Sequence, residues 1–390
     1  MKRALRTTIL GLTLLIAAGC GSDDTTAGQT SGTQQGEIQG KPTLICGTGE
    51  DTKPTPTGIA QLDQPSGGIT GAGSSFVAPL MTAWAGQFEQ ELGAEVRYAS
   101  VGSGAGVARI SEGRVDFGAT DSPMTDEELA AADGTILHVP LVFGAVVPAY
   151  HVPGQKSGLH FTADVLGKIF TGRITRWDDP ELVALNPEAK LPSTPIAVVH
   201  RSDSSGTTAI FTGYLTKTSP SWVEALPADK RSGREVPWPV GNAGKGNEGV
   251  AAVVNETEGA IGYVELTYAL STGLEVGFVQ NKSGNFIQPC AETVTAAARD
   301  IAISPDLRLD LTDTPGVHAY PISGAVWALV YERQQDATRA NTLVNFLAWA
   351  LDVGQTKARA HNYAPLSPEV RALALDQVKK ITLDGQPIAR

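Results

Sequence analysis

The chain has 390 residues, of which 42% are hydrophobic and 18% charged. That apolar fraction excludes a wholly disordered chain, and the length suffices for two domains with cores of their own. With 30 Lys and Arg against 41 Asp and Glu the net charge is −11, and this acidic balance, with no long basic run, argues against a nucleic-acid partner.

Residues 1–19 read as a targeting segment. Lys2, Arg3 and Arg6 precede the apolar run Ile9 to Ala18, which is too short for a membrane span of about 20 residues. The small residues Ala17-Ala18-Gly19 before Cys20 are similar to a bacterial lipobox, in which Cys20 is lipidated and becomes the new N-terminus. The alternative is an ordinary signal peptide that contains a cysteine. Removing residues 1–19 takes three positive and no negative charges from −11 and leaves −14. Export permits disulfides, and with Cys20 acylated, parity leaves Cys46 and Cys290 either bridged or as two separate thiols.

Residues 20–65 read as a flexible tether. Gly21 to Pro42 is rich in Gly, Ser, Thr, Gln and Asp, and Pro54, Pro56 and Pro65 continue it; such a stretch buries too little to offset its ordering entropy. The folded part starts near Ile69. Ile69 to Gly73 is a short strand running into a glycine turn. Phe76, Leu80, Trp84, Phe88 and Leu92 then mark one helix face, with Ser74 or Ser75 as N-cap and Gly93 as the stop. Ala94 to Val101 alternates as a strand, Gly102 to Gly106 is a glycine turn, Val107 to Ile110 a short helix and Val115 to Ala119 another strand. Late in the chain Leu343, Phe346, Leu347, Ala350 and Leu351 mark a further helix, and Ser367-Pro368 opens the last one. This alternation predicts an α/β class with parallel strands.

Three Ser/Gly-rich turns precede predicted helices: Gly71 to Phe76, Gly102 to Gly106 and Asp203 to Thr208. A helix N-terminus offers unpaired N–H groups and partial positive charge, so such turns suit tetrahedral anions; singly, each reads first as an ordinary helix cap, and it is the three together that favour an anion site. Arg201 lies just before the third turn, and Asp121 follows a strand end, where open α/β sheets bind ligands. A carboxylate beside an anion makes sense where the anion carries a proton. A hydrogen phosphate can donate to it and a sulfate cannot. A surface salt bridge is the other reading of Asp121.

The stretch Gly71 to Leu129 closely resembles the phosphate-binding protein of the high-affinity phosphate ABC transporter. Phe170 to Pro180, Ala197 to Thr207, Gly244 to Gly249 and Gly259 to Glu265 continue the resemblance. It implies a two-lobed, type II periplasmic-binding-protein-like α/β fold with two hinge crossovers. Lobe I would comprise 66–145 and 323–390, and lobe II 146–322, with crossings near Val142–Val147 and Pro321–Ala325. By the same resemblance Ser75 and Ser103 give hydroxyl and backbone donors to phosphate, and Phe76 a backbone N–H. Asp121 accepts the phosphate proton, Arg201 is the cationic contact oriented by Asp203, and Ser205, Gly206 and Thr207 give donors at a helix start. The implied protein is a monomeric, lipid-anchored, extracytoplasmic receptor whose partners are inorganic phosphate and the permease subunits of an ABC importer.

No cofactor is expected. The six histidines show no metal-ligand spacing, and Gly241 to Gly246 lacks the Ser or Thr that a phosphate loop carries after its lysine. A phosphatase or serine hydrolase is disfavoured, since no serine sits in a G-x-S-x-G elbow and no His/Asp pair stands ready to activate one. A phosphate sensor or adhesin on the same fold remains the other reading.

Overall fold

The computed structural model describes Cys46 and residues 64–388. The expected signal segment, lipidated Cys20 and most of the tether lie outside the described residues. One sheet of nine strands organises the rest. They are β1 (Ile69–Gly73), β2 (Val96–Ser100), β3 (Phe117–Thr120), β4 (Ile136–His151), β5 (Ala197–Arg201), β6 (Asn242–Gly244), β7 (Ala260–Glu265), β8 (Glu275–Val276) and β9 (Ser323–Tyr331). Their order is β2-β1-β3-β9-β4-β7-β5-β6, with β8 also on β4.

The long strand β4 is shared by two half-sheets. It pairs antiparallel with β9 from Ile136 to Ala145 and with β7 from Val146 to His151. All but its last residue are buried, as expected of a strand covered on both faces, whose sequence reads as one apolar run rather than an alternation. In the first half-sheet β1 is parallel to both β2 and β3, while β9 enters antiparallel to β3. In the second, β5 is parallel to β6 and β7. The sheet is therefore mixed: the parallel strands expected from the alternation of elements are β1 to β3 and β5 to β7, and β9 and β4 run against the direction of their neighbours.

The helix predicted from Phe76, Leu80, Trp84 and Phe88 is α1 (Ala78–Leu92), and Gly93 ends it in the left-handed region at φ 75°. Neither Ser74 nor Ser75 caps it. The cap position is Val77, with no side-chain bond, and Pro79 sits in the first turn. Gly102 to Gly106 is also more than a turn, since α2 runs Ser103–Ser111 and only Gly102 lies outside it. The last two predicted helices are α6 (Ala337–Leu351) and α7 (Pro368–Lys379), numbered after α3 (Asp126–Ala131), α4 (Gly206–Thr218) and α5 (Gly246–Glu256). Ser367 caps α7 by accepting from Val370 N–H at 3.2 Å. Cys46 and Cys290 are joined in a disulfide. Residues 307 and 308, in the stretch expected to belong to the second lobe, lie against the first half-sheet. Trp327 Nε1 donates to Leu307 O at 2.7 Å, and Arg308 Nη1 to Asp126 Oδ1 at 2.7 Å.

Candidate functional site

The site forms where the carboxyl ends of β1, β3 and β5 meet the starts of α2 and α4. β1 delivers the turn Ser74-Ser75-Phe76, all buried. Tyrosine hydroxyls take its carbonyls in turn: Tyr98 on Ser74 O (2.7 Å), Tyr268 on Ser75 O (2.7 Å) and Tyr363 on Phe76 O (2.6 Å). An anion beside this turn therefore meets no carbonyl oxygen without a donor, while the Ser75 hydroxyl and the Ser75 and Phe76 N–H groups remain to donate, the Ser74 N–H being taken by Ala119 O at 2.8 Å.

β3 delivers Asp121, 3% exposed. Its Oδ1 accepts from Ser103 Oγ at 2.5 Å and its Oδ2 from Thr207 Oγ1 at 3.1 Å. Burial raises the Asp121 carboxyl above its ordinary value, against the lowering pull of the Ser103 and Thr207 hydroxyls and of Arg201. A raised carboxyl is a better acceptor for a proton carried by a ligand.

β5 ends in Arg201, 4% exposed. Its Nε and Nη2 fork onto Asp203 Oδ1 and Oδ2 at 2.8 and 2.6 Å, and its Nη1 reaches Thr207 Oγ1 at 3.3 Å. Burial opposes the charge on Arg201, but the Asp203 contacts outweigh it and the pKa rises. Asp203 itself, half-buried, is held low by Arg201 and by Gly246 N–H at 3.0 Å, against its own burial. The pair fixes the direction of the guanidinium, whose remaining edge faces the start of α4.

α4 begins with Gly206 and Thr207, whose N–H groups have no acceptor within the helix. Ser205 precedes them as the N-cap. Its hydroxyl accepts from Thr208 N–H at 3.1 Å as an ordinary N-cap, and its own N–H donates to Arg234 O at 2.9 Å. Across the junction Gly104 N–H donates to Ser204 O at 3.0 Å, so the second and third glycine turns touch. His200 stands aside: Nδ1 lies 3.0 Å from Arg201 O, and the ring stacks on Trp238 at 5.2 Å.

The structure thus draws Ser103, Asp121, Arg201, Asp203, Gly206 and Thr207 into one network, and Ser75 joins it through Asn247. That residue, fully buried in the first turn of α5, bonds both Ser75 and Thr207. It falls inside the Gly244 to Gly249 motif, but nothing in an asparagine at a helix start announces which hydroxyls it will meet. Glu265 is another residue that sequence reasoning passes over. It is fully buried at the end of β7, accepts from Thr267 N–H (2.9 Å) and Tyr363 OH (3.1 Å), and burial pushes its carboxyl up to about 8.

A mixed α/β sheet divided by one shared strand, with glycine- and serine-rich turns from both halves meeting at its junction, is the fold of the periplasmic binding proteins. The PBP superfamily domain matches residues 27–353 of the chain. The chain is 38% identical over 305 residues to the phosphate-binding protein PstS of Xylella fastidiosa (strain 9a5c), covering 77% of this chain and 82% of that one. It is 40% identical over 305 residues to the phosphate-binding protein PstS of Pasteurella multocida, covering 77% and 87%. Among solved structures, a phosphate-binding protein from Stenotrophomonas maltophilia shares the fold with a TM-score of 0.63 at 23% identity, covering 79% of this chain and 93% of that one. The chain belongs to the PstS family of phosphate-binding proteins.

Proposed function

We propose that the protein is a non-catalytic, extracytoplasmic receptor that encloses inorganic phosphate between two lobes and delivers it to the permease of an ABC importer. The observation that carries this reading is the composition of the network. One buried carboxylate, Asp121, bonds the Ser103 and Thr207 hydroxyls beside the start of α4, and a single guanidinium, Arg201, is oriented next to them by Asp203. Many donors and one acceptor match an oxyanion that keeps one proton. Ser75, Phe76 and Ser103 would donate from one side, and Arg201, Gly206 and Thr207 from the other, with the Ser205 hydroxyl beside them and Asp203 behind Arg201.

The lobes are taken as 66–145 with 323–390, and 146–322. The chain would pivot where β4 changes partner between Ala145 and Val146 and where it re-enters the first half before β9. Phosphate then favours the closed state because only there do both lobes donate to it. A lipid on Cys20 and the tether behind it would hold the receptor at the membrane. No hydrolytic role is assigned, since the His200 ring rests on Trp238 and the backbone rather than on a serine hydroxyl. Calorimetric titration with phosphate and sulfate tests the reading: tight binding of phosphate with rejection of sulfate is expected, and no heat with phosphate would refute it.

A further inference from the structure

We propose that Asn247 is a positioning residue that fixes the hydroxyl of Ser75 as a donor toward the bound anion and that of Thr207 as a donor to Asp121, and thereby directs the proton of that anion to Asp121. The proposal rests on the phosphate reading above. Asn247 donates twice to one atom: its backbone N–H and its Nδ2 meet Ser75 Oγ at 3.1 and 2.9 Å. A hydroxyl has two acceptor lone pairs and one proton. Both lone pairs of Ser75 are thereby occupied, and its O–H is the only bonding capacity left to offer.

Thr207 is filled on its acceptor side too, but its proton is already placed. Its Oγ1 accepts from Asn247 Nδ2 at 3.1 Å and from Arg201 Nη1 at 3.3 Å, and its proton points to Asp121 Oδ2 at 3.1 Å. The amide of Asn247 has one permitted orientation, because its Oδ1 accepts from Glu265 N–H at 2.8 Å. Reversing the amide would set its N–H₂ against a backbone donor and its oxygen against the hydroxyls. Glu265 is the residue opposite Val146, where β4 changes partner. Asn247 is thus anchored to the crossing on one side and reaches Ser75 of the first half-sheet on the other.

A hydroxyl whose acceptor sites are filled rewards a ligand acceptor and repels a ligand donor. On an anion with one proton, that proton is kept from the edges facing Ser75 and Thr207, and Asp121 is the acceptor that remains. The Asn247–Ser75 bonds join the two halves, so the polarity of Ser75 is set as the site closes.

A double-mutant cycle on the whole chain, read as phosphate Kd by calorimetry, tests this. Ser75→Ala is expected to weaken binding about tenfold or more in the native background, as for a bond to a charged group. In the Asn247→Ala background, where only the backbone N–H of residue 247 still donates to Ser75 Oγ and one lone pair is freed, the same change is expected to cost less than about threefold. Equal cost in both backgrounds means that Asn247 is only a packing residue and overturns the proposal, as does a Ser75→Ala chain that binds like the native one. Should Asn247→Ala fail to fold, the near-isosteric Asn247→Asp replaces it in the cycle. Its side chain can accept from Ser75 but not donate to it, so the same loss of coupling is expected and additivity again overturns the idea. A native chain that binds no phosphate rejects the underlying functional reading instead, an outcome distinct from an additive cycle in a chain that binds.

Discussion

Gly206 and Asp121 meet across the junction of the half-sheets so closely that a Cβ on Gly206 would fall 2.4 Å from the Asp121 carboxyl carbon and 2.7 Å from Ser103 Oγ. Real Cβ atoms do not approach so near, and neither the backbone of α4 nor the bonded carboxylate can yield easily. Gly206→Ala is therefore expected to hold the halves apart. Overpacking of this kind costs about 1–3 kcal/mol, so phosphate affinity should fall about fivefold or more. Small-angle scattering should show the variant failing to contract when phosphate is added. Contraction equal to that of the native chain would show that the two residues do not meet in the closed state.

Asp121 gives a prediction about selectivity rather than affinity alone. Asp121→Asn replaces the charged acceptor for the proton of the ligand with a neutral amide that can also donate. The preference for phosphate over sulfate should fall about tenfold or more, since a donor in place of an unmatched carboxylate no longer repels the fully ionised anion. Competition titrations with the two anions read the ratio. An unchanged ratio would remove Asp121 from proton recognition.

Arg201 is the buried cation of the network, forked onto Asp203. Arg201→Ala leaves Asp203 without its partner beside an incoming anion, and truncating one member of a buried charge pair costs about 2–5 kcal/mol. Phosphate Kd should rise about thirtyfold or more. Arg201→Lys should recover only part of this, because an ammonium cannot make the two-pronged contact. A Kd within error of native in either variant would place Arg201 outside the site.

The buried Glu265 links the site to pH. Its carboxyl is pushed by burial to about 8, from an ordinary 4.5. The folded chain therefore holds a proton that the unfolded chain has released. The stability this group contributes is fully present below the ordinary value and is lost as pH rises through about 8, by at most about 1.4 kcal/mol per pH unit. Glu265→Gln keeps an uncharged hydrogen-bonding group at all pH values. Denaturant midpoints measured from pH 5 to 9 should fall more steeply for the native chain than for the variant. Parallel curves would mean that Glu265 titrates normally.

Membrane attachment is tested separately. Cys20→Ala should release the protein from the membrane into the soluble exported fraction, as followed by fractionation. Continued attachment would require another anchor.

Legibility in the sequence followed the range of the interactions. β1, α1 and the Gly93 stop were readable because periodicity and a left-handed glycine are local signals. The stretch Gly102 to Gly106 misled because its glycines answer to packing as well as to turns. A Cβ on Gly106 would lie 2.6 Å from Gly73 Cα, and one on Gly104 would lie 2.2 Å from Ser204 Oγ. Helix α2 accepts their poor propensity in exchange for close approach. The antiparallel entry of β9 could not be read locally, since its partners lie about 180–210 residues earlier in the chain. The same holds for the site. Ser75, Ser103 and Thr207 lie in the turn motifs, Arg201 just before one of them and Asp121 at a strand end, so local signals single them out as candidates, whereas the contacts of Asn247 exist only through the residues that the fold brings to it.

The most direct test is a crystal structure of the chain grown with inorganic phosphate. The account predicts one phosphate enclosed among Ser75, Ser103, Asp121, Arg201 and the Gly206–Thr207 helix start, with one of its oxygens within hydrogen-bond distance of Asp121. A phosphate bound elsewhere, with Asp121 still occupied only by Ser103 and Thr207, would contradict it.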